Sequence, residues 1–427
     1  MSIVLLDQAK RLLRRAPGRA DQRSTHGNVA PNNRERPPWN ATGRKIFLLT
    51  VRRDAGLLPQ RKNFRCDDFA LPSASFEATT ASFEATMITT EPSAAPPVPP
   101  QPPSRTPVGA RVARLVRSRE AGIFIALAIM SALLAFTAPT FRTTDNLIND
   151  ARNFSFIGIV VLGEAMVMIT GGIDLSVGSV WGMTAVTTAA LMAAGWPTLA
   201  AIAAGLGCAA IVGLFNGFCV TKLKMPPFVP TLATMSIARA LALVITRGRS
   251  IGEFRPDGDA FYNLGGGTLF GLPNPFLIFI VLSILAWFAL DRTIFGRQLY
   301  AIGGNERAAR LSGIEVDRLK IGVYTASAVL AGLAGIIEVS YLSSAIANQG
   351  LGKELSVIAA AVIGGTALTG GEGTVLGIFI GTVMLEVLRN GLVLLGTDAY
   401  WQGVFVGLVI IIAVFIDQLR KGLWRKR

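Results

Sequence analysis

The sequence contains little of what metal sites and histidine-based catalysis require. Its 427 residues include one histidine, His26, and three cysteines, Cys66, Cys208 and Cys219. The cysteines share no spacing that is typical of a metal site or a disulfide framework, and His26 lies in a polar segment near the N-terminus. Two of the cysteines sit inside apolar runs, where a thiol usually packs as a small apolar side chain. We therefore predict no catalytic residue and no metal site in the apolar part of the chain.

Charge is also scarce, and apolar sequence takes its place. Only 16% of the residues are charged, 51% are hydrophobic and the mean hydropathy is +0.49. A helix of about 20 apolar residues crosses the roughly 30 Å hydrocarbon layer of a bilayer, and the apolar runs here lack the polar face of a soluble helix. The sequence therefore predicts an all-α polytopic membrane protein, surrounded by lipid. About ten transmembrane helices are expected, at residues 121–138, 154–170, 175–195, 198–220, 228–246, 275–290, 321–339, 355–368, 374–395 and 401–416.

The basic residues predict the orientation of these helices, because Lys and Arg concentrate on the cytoplasmic side of a membrane. Arg111, Arg114, Arg117 and Arg119 precede the first apolar run, and five basic residues lie within 420–427. Both termini are therefore expected in the cytoplasm, and the number of crossings should be even.

The first part of the chain is polar and the rest is apolar. We therefore divide the chain into an N-terminal extension, residues 1–118, and a membrane domain, residues 119–420. The extension is basic and rich in proline, as in PSAAPPVPPQPPSRTP, and such a composition predicts disorder. Residues 1–86 carry 15 Lys and Arg against 8 Asp and Glu, which is half of the net charge of +14. The high pI therefore gives no indication of nucleic-acid binding. Met87 opens a stretch that is typical of a short cytosolic leader, and whether translation starts there or upstream stays open.

One carboxylate interrupts the apolar sequence in MVMITGGIDLSVGSVWGMT, residues 166–184. A charged group at the centre of a membrane helix costs at least about 2.5 kcal/mol, so Asp174 is expected to face protein or water. Gly171 and Gly172 allow the chain to break between the second and third apolar runs. At that break the Asp174 carboxylate would cap the amides of Ser176 and Val177. The alternative roles are gating or an interaction with a partner on the cytoplasmic side, and direct contact with a transported solute.

Other polar residues within apolar runs are candidates for a solute pathway. Glu164 has no basic neighbour one helical turn away, so it must be protonated, exposed to water or paired with another helix. Asn216 can both donate and accept hydrogen bonds. The segment GGTALTGG, residues 364–371, places hydroxyl groups among glycines, with Gly365 and Thr366 as candidates. Close structural packing is the alternative at each position, and the sequence does not decide between the two.

The alternation of basic residues puts residues 291–320 inside and the glycine-rich residues 248–274 outside. The inner loop is long, polar and helix-forming, although a short connection would suffice. Within NERAARLSGI, Ala308 and Ala309 permit close approach of another surface, and Gly313 can end a helix in a left-handed cap. We predict a short helix offered to a cytoplasmic partner; a solvated connector is the alternative.

Three segments in this order and spacing resemble one family. GGIDLSVGS, FGRQLYAIGGNERAARLSGI and IAAAVIGGTALTGGEGTVLG are similar to segments of the ribose-type sugar ABC importer permeases, part of the larger branched-chain-amino-acid-permease-like group. The resemblance covers about residues 120–420. It implies a multi-pass permease of the bacterial inner membrane, homodimeric or paired with a sister chain. It also implies cytoplasmic ABC ATPase subunits as partners and an extracytoplasmic sugar-binding protein that delivers a monosaccharide such as ribose. The implied ATPase-coupling residues are Gly296, Arg297, Asn305, Ala308, Ala309, Arg310 and Gly313.

The absence of a nucleotide-binding motif agrees with that division of labour. A P-loop needs G-x-x-x-x-G-K-[ST], and no stretch of the 427 residues matches it. ATP and Mg²⁺ would therefore be used by a partner ATPase, and no cofactor is expected on this chain. One rival is an ion-coupled secondary transporter or channel, which would use Glu164 or Asp174 and would not need the long inner loop. The other is a membrane enzyme, for which the sequence offers no convincing nucleophile, base and metal constellation.

Overall fold

The computed structural model describes residues 119–252, 254, 258–398, 401–405, 407, 408, 411 and 415. The N-terminal extension and Met87 lie outside these residues, as does much of the last predicted span. The described residues form an all-α protein, which confirms the predicted fold class.

The helices, in chain order, are α1 (Arg119–Thr137), α2 (Thr144–Ile169), α3 (Val177–Ala193), α4 (Thr198–Thr221), α5 (Phe228–Thr246), α6 (Gly258–Gly265), α7 (Asn274–Trp287), α8 (Ile294–Gly304), α9 (Glu306–Leu311), α10 (Val316–Leu342), α11 (Lys353–Ile363) and α12 (Val375–Leu394). A 3₁₀ turn (Pro139–Arg142) follows α1, and a π-helical turn (Phe288–Arg292) extends α7. Two short strands, β1 (Thr268–Leu269) and β2 (Leu272–Pro273), pair in an antiparallel hairpin. Residues 401–405 are helical.

Among the described residues, seven helices are long and apolar enough to cross a bilayer: α1, α2, α4, α5, α7 with its π-helical turn, α10 and α12. Helix α3 is also apolar but has only 17 residues. Helix α11 has 11 residues, which at 1.5 Å per residue extend about 16 Å, roughly half of the hydrocarbon layer. The two short helices, α3 and α11, are therefore the unusual members of the bundle.

Two of the predicted spans are wrong at their ends. The span predicted at 355–368 is a helix that stops at Ile363, because Gly365 follows with a φ of +88°, a conformation that favours glycine. The span predicted at 154–170 begins ten residues earlier, at Thr144, because the Thr143 hydroxyl caps the helix by accepting from the Asn146 amide at 3.4 Å. The predicted outer loop, residues 248–274, contains α6 and the hairpin.

The longest helices, α2 and α10, run antiparallel through the centre of the bundle. Near one end Phe156 lies beside Tyr341, with ring centroids 6.3 Å apart, and near the other Gly163 lies against Ser327. A Cβ on Gly163 would be 2.7 Å from the Ser327 Cα, so the two backbones are as close as glycine allows. Small residues permit such close helix packing within a membrane.

Each long helix is followed by a break in the chain and then by a short helix. Residues 170–176 separate α2 from α3, and residues 343–352 separate α10 from α11. Because α2 and α10 are antiparallel, the two units cross the membrane in opposite directions. The first turns of the two short helices meet, since a Cβ on Gly178 would contact the Gly350 carbonyl oxygen at 2.6 Å. The breaks therefore bring non-helical backbone into the protein interior, where its polar groups need internal partners.

Candidate functional site

The inner loop, residues 291–320, folds into two short helices and not the single one predicted. Helix α8 begins after Thr293, whose hydroxyl accepts from the Gly296 amide at 3.4 Å. Helix α9 begins after Asn305, whose side chain accepts from the Ala308 amide at 3.1 Å. Each cap satisfies an amide that the first turn leaves without a helical partner. The sequence fixes both starting points through these two capping residues.

Gly313 ends α9 with a φ of +83°, in the left-handed conformation that the sequence predicts. Its amide donates to the Arg310 carbonyl at 3.1 Å, and the Ile314 amide donates to the Ala309 carbonyl at 3.1 Å. These are the two hydrogen bonds of a Schellman motif. The short helix is thus held in a defined shape at both ends.

The predicted coupling residues divide into an exposed set and a buried set. Arg297, Ala308 and Gly313 are exposed, and Leu311, at the C-terminal end of α9, is 90% exposed. Ala309 is 4% exposed and packs with Ile302 and Val316 in a small apolar cluster. Gly296 is also buried, and a Cβ there would collide with the Leu290 carbonyl. Ala309 and Gly296 therefore support the loop from within, whereas Ala308 and Leu311 form an apolar patch facing outward.

Ion pairs attach α9 to the start of α10 and to the end of α4. Glu306 contacts Lys320 at 2.7 Å and Arg310 at 3.0 Å, and Arg310 also contacts Asp317 at 2.6 Å. Lys222, directly after α4, contacts Asp317 at 2.8 Å. Arg310 was predicted as a coupling residue, and the structure places its guanidinium inside this network.

The charge network also sets the ionisation of Glu306. Partial burial raises the pKa of Glu306, but the hydrogen bonds from Lys320 and Arg310 outweigh it, so the pKa lies below 4.5. Glu306 is therefore ionised at neutral pH and can keep both cations in place.

A cavity of about 540 Å³ lies beside this network. It is lined by Gly171, Val220, Thr221, Lys224, Met225, Pro227, Glu306, Arg310, Asp317 and Lys320. The lining combines the break after α2, the α4–α5 connection and the inner loop. The cavity therefore lies beside the predicted inner loop, and its lining includes both the predicted gating residue Gly171 and the predicted coupling residue Arg310.

Glycine backbones join the inner loop to two non-helical segments of the membrane domain, the break at residues 170–176 and the glycine-rich segment at residues 364–374, which separates α11 from α12. Gly303, near the end of α8, is so close to the Ile169 carbonyl and the Gly371 amide that a Cβ would collide with both. The Gly371 amide donates to the Ile169 carbonyl at 2.9 Å, and the Tyr300 hydroxyl donates to the Gly373 carbonyl at 2.8 Å. A displacement of α8 is therefore transmitted to residues 170–176 and to residues 364–374 at once.

Asp174 lies in the first break, where its carboxylate is completely buried. Its Oδ1 accepts from the Ser176 amide at 2.9 Å, one of the two amides named above, and from the Ser176 hydroxyl at 2.6 Å. The Asp174 amide in turn donates to Glu164 Oε1 at 3.1 Å. Glu164 thus pairs with the break that follows its own helix and not with another helix. Gly171 has a φ of +80°, and a Cβ on Gly172 would collide with the Tyr324 hydroxyl.

Hydrogen bonds continue from this break into α4 and α5. The Asn216 Nδ2 donates to the Ser176 hydroxyl at 3.0 Å, and the Thr234 hydroxyl donates to Asn216 Oδ1 at 2.9 Å. Glu164, Asn216 and Thr366 are each at most 2% exposed. In this conformation the candidate pathway residues therefore pack inside the protein, and only a rearrangement of the helices would expose them to a solute. Gly365 has open space around its Cα, with a φ of +88°.

The sequence reasoning missed several polar residues that the fold brings together. Arg239 lies in α5 and Glu338 in α10, both within apolar runs, and Tyr300 lies in α8. Arg239 and Glu338 carry the same signal that singled out Asp174, a charge inside a membrane span. Tyr300 has no such signal, because its role depends on a carbonyl more than 70 residues away.

The arrangement has features that are typical of a transport protein. Within the described residues, no group of three or more His, Cys, Asp and Glu side chains is placed to hold a metal ion. The structure contains a bundle with two broken helices, a buried polar network, and a helix-bearing loop that contacts the break after α2 and the glycine-rich segment after α11. These are the components that a membrane permease needs.

The chain belongs to the family described as the permease component of branched-chain amino acid transport systems, which matches residues 146–414. It is similar to the ribose import permease protein RbsC of Escherichia coli (strain K12), with 41% identity over 298 residues covering 70% of this chain and 93% of that protein. RbsC of Bacillus subtilis (strain 168) is 39% identical, over 70% of this chain and 93% of that protein. The D-allose transport system permease protein AlsC of Escherichia coli (strain K12) is 36% identical, over 70% and 91%. No solved structure matches.

The family and the apolar helices together confirm two of the expectations from the sequence. The chain is a permease component of a transport system, and it is a multi-pass protein of the bacterial inner membrane.

Proposed function

We propose that this chain is the membrane-spanning subunit of an ATP-driven sugar importer, and that it moves a monosaccharide such as ribose into the cytoplasm. The relatives support this substrate class, because their names assign them to ribose, allose and arabinose transport. The structural observation that carries the proposal is the rigid, exposed tip of α9. This capped helix of six residues exposes Ala308 and, at its end, Leu311 at 90%, so it offers a partner an apolar contact of defined shape.

The partner at this tip is a cytoplasmic ABC ATPase subunit, and it supplies the chemistry that this chain lacks. The chain carries no P-loop, so ATP and Mg²⁺ are used by the partner and this subunit is not itself an enzyme. Ala308 and Leu311 would enter a groove on the ATPase, and Arg297 would flank it. When two ATPase subunits close around ATP, they would push on α8 and α9.

The route of that movement follows contacts in the bundle. The close approach of Gly303 to Ile169 and Gly371 would pass a shift of α8 to the break after α2 and to the glycine-rich segment at residues 364–374. The ion pairs of Glu306 and Asp317 would pass a shift of α9 to α10 and to the end of α4. Moving these two segments together would change the access of a central pathway from one side to the other. Asp174 and Ser176 would act as the gating end of this route.

On the outer side, an extracytoplasmic sugar-binding protein would deliver the substrate. A second copy of the chain would complete the pathway. The outward-facing apolar side chains of α4 and α5, such as Ile211 at 66% and Val244 at 70% exposure, are suited to lipid or to that second copy. Size determination of the purified complex, with lipid and detergent mass subtracted, tests for two permease chains.

Uptake in proteoliposomes tests the proposal. The chain is reconstituted with its ATPase and binding protein, and radiolabelled D-ribose, D-allose and L-arabinose are supplied outside. We expect uptake of at least one sugar that requires ATP inside the vesicles and the binding protein outside. Uptake that continues without ATP and collapses with an uncoupler would support an ion-coupled transporter and contradict the proposal.

A further inference from the structure

A second cluster of polar side chains, separate from the Asp174 network, lies where the first turns of α3 and α11 meet. Its members come from five segments of the chain: Trp181 (α3), Arg239 (α5), Glu338 (α10), Gln349 (residues 343–352), and Lys353 and Glu354 (α11). We call it the outer cluster, because Glu338 is one turn from the outer end of α10. Neither the coupling loop nor the inner cavity includes any of these residues.

Glu338 is the centre of the outer cluster. Its Oε2 accepts from the Trp181 indole N–H at 2.8 Å and from the Gln349 amide at 2.6 Å. The Lys353 Nζ lies 4.0 Å from Glu338 Oε1 and 5.4 Å from the centre of the Trp181 ring. An indole ring, a carboxamide and an ammonium group thus lie around one carboxylate.

Arg239 closes the cluster by holding backbone from two other segments. Its Nη1 donates to the carbonyls of Ala347 and Gln349, at 2.9 and 2.8 Å, and its Nη2 donates to the Gly178 carbonyl at 3.4 Å. A Cβ on Gly182 would collide with the Gln349 carbonyl, so α3 needs glycine to admit this loop. The guanidinium therefore ties residues 343–352 to the first turn of α3.

Two acceptors in the outer cluster lack a donor. Gln349 is 6% exposed, and its Oε1 has no hydrogen-bond partner among the described residues. Glu354 Oε2 is likewise unpartnered within the described part of the chain, and it lies directly against Gly178. Buried acceptors without donors are rare and cost free energy, so they indicate a ligand or water that donates O–H groups.

The charges of the outer cluster sum to zero, since Glu338 and Glu354 balance Arg239 and Lys353. Such a site would neither attract nor repel a neutral solute. A cation or anion would meet a like charge, which repels it, as well as an opposite charge, which attracts it. Planar polar side chains beside an indole ring suit a sugar. The hydroxyl groups of the sugar form hydrogen bonds with the polar side chains, and the apolar face of the sugar ring packs on the indole. Charged residues within membrane helices usually mark a solute pathway.

We propose that the outer cluster is the first sugar-binding site within the membrane domain, which rests on the proposed function and adds its location. In the structure the site is closed, because Glu338, Trp181 and the Gln349 carboxamide N–H group are paired with one another. An entering monosaccharide would exchange those contacts for its own hydroxyl groups, with Glu338 and Gln349 accepting and Lys353 donating. Trp181 would pack against one face of the sugar ring. Discontinuous membrane helices that meet are a usual location of such sites.

Tryptophan fluorescence of the purified complex of permease and ATPase subunits tests this site directly. D-ribose is titrated without the binding protein, both without nucleotide and with a non-hydrolysable ATP analogue, because the cluster opens in only one of these states. We expect a saturable change that Trp181→Phe abolishes. Trp196→Phe is the matched control, because Trp196 lies just beyond the other end of α3 and should leave the change intact.

Two further variants keep the test decisive if Trp181→Phe fails to assemble. Gln349→Ala and Glu338→Gln should each weaken D-ribose binding about tenfold, measured by equilibrium binding of radiolabelled sugar to the complex in nanodiscs. Unchanged affinity in both variants, or no saturable binding by a wild-type complex that imports ribose, would overturn the site. A wild-type complex that imports no sugar under any condition would instead overturn the proposed function.

Discussion

Asp174 holds Ser176 through two hydrogen bonds to one carboxylate oxygen, at 2.9 Å to the amide and 2.6 Å to the hydroxyl. The same hydroxyl accepts from Asn216, so the break after α2 is tied to α4. A buried donor that loses its acceptor costs about 1 to 3 kcal/mol.

We therefore expect Asp174→Ala to lower the thermal unfolding temperature of the purified permease in detergent. Asp174→Asn keeps an acceptor oxygen and should lower it less. Scanning fluorimetry of the three proteins measures the order. Equal unfolding temperatures for the wild-type and alanine proteins would mean that the carboxylate does not stabilise the break.

Two adjacent glycines provide a matched test of the junction of the inner loop with the break after α2 and the glycine-rich segment at residues 364–374. A Cβ at Gly303 would collide with the backbone of Ile169 and Gly371, whereas a Cβ at Gly304 would have open space. Gly303→Ala should therefore separate α8 from both segments and reduce ATP-dependent uptake by about tenfold or more, on the order of the 1 to 3 kcal/mol that overpacking costs. Gly304→Ala should transport normally in the same proteoliposome assay. Equal uptake by the two variants would contradict the proposed route of movement.

The exposed face of α9 should be sensitive to charge. Ala308→Asp places a carboxylate beside Leu311, in the surface that we assign to the ATPase, and a buried unpaired charge disfavours binding. We expect the protein to insert normally but to lose co-purification with the ATPase and coupled uptake. Ala194→Asp is the control, because Ala194 is also exposed but lies in the connection between α3 and α4, away from the inner loop. Loss of coupling in both variants would point to a general effect of an added charge and contradict a specific role of α9.

Replacement of Gly313 tests the shape of the same helix. Its φ of +83° strains any residue with a Cβ, although no atom lies within 4 Å of the added group. Gly313→Val should leave the protein inserted and folded but uncouple ATP hydrolysis from uptake, because the end of α9 changes direction. Normal binding-protein-stimulated ATPase activity together with normal uptake would contradict the coupling assignment.

The ion pairs of α9 should make a pH-dependent contribution to stability. The pKa of Glu306 is lowered in the folded protein. The ionised Glu306 therefore stabilises the fold fully at pH values above 4.5, its ordinary pKa, and this stabilisation is lost as the pH falls through the lower pKa of the folded state. The difference in unfolding temperature between wild type and Glu306→Gln should therefore be constant near neutral pH and shrink below about pH 4. A difference that is the same at pH 7 and pH 3 would show that ionised Glu306 is not the source.

Much of the architecture could be predicted from the sequence, because the bilayer requires long apolar helices and leaves few other solutions. The break at Gly171 and Gly172 was predicted from glycine beside a carboxylate, and Gly313 from its place after a short helix. The end of α11 was predicted wrongly, because a run of small residues reads as continuous helix until the backbone at Gly365 is seen. The start of α2 was missed because its first turns are polar and lie beyond the apolar run.

The sequence by itself determined that this protein crosses the membrane many times and where the chain breaks after α2, and it predicts which side the basic loop faces. The length of an apolar run, the position of Lys and Arg, and the conformational freedom of glycine depend only on residues that are close in the chain. They can therefore be recognised in the sequence without the structure. Only the tertiary structure decided that Gly303 contacts both Ile169 and Gly371, that Ala309 supports the inner loop while Ala308 faces outward, and that Trp181 and Gln349 share Glu338. Those relationships join residues far apart in the chain, and packing alone brings them within hydrogen-bonding distance.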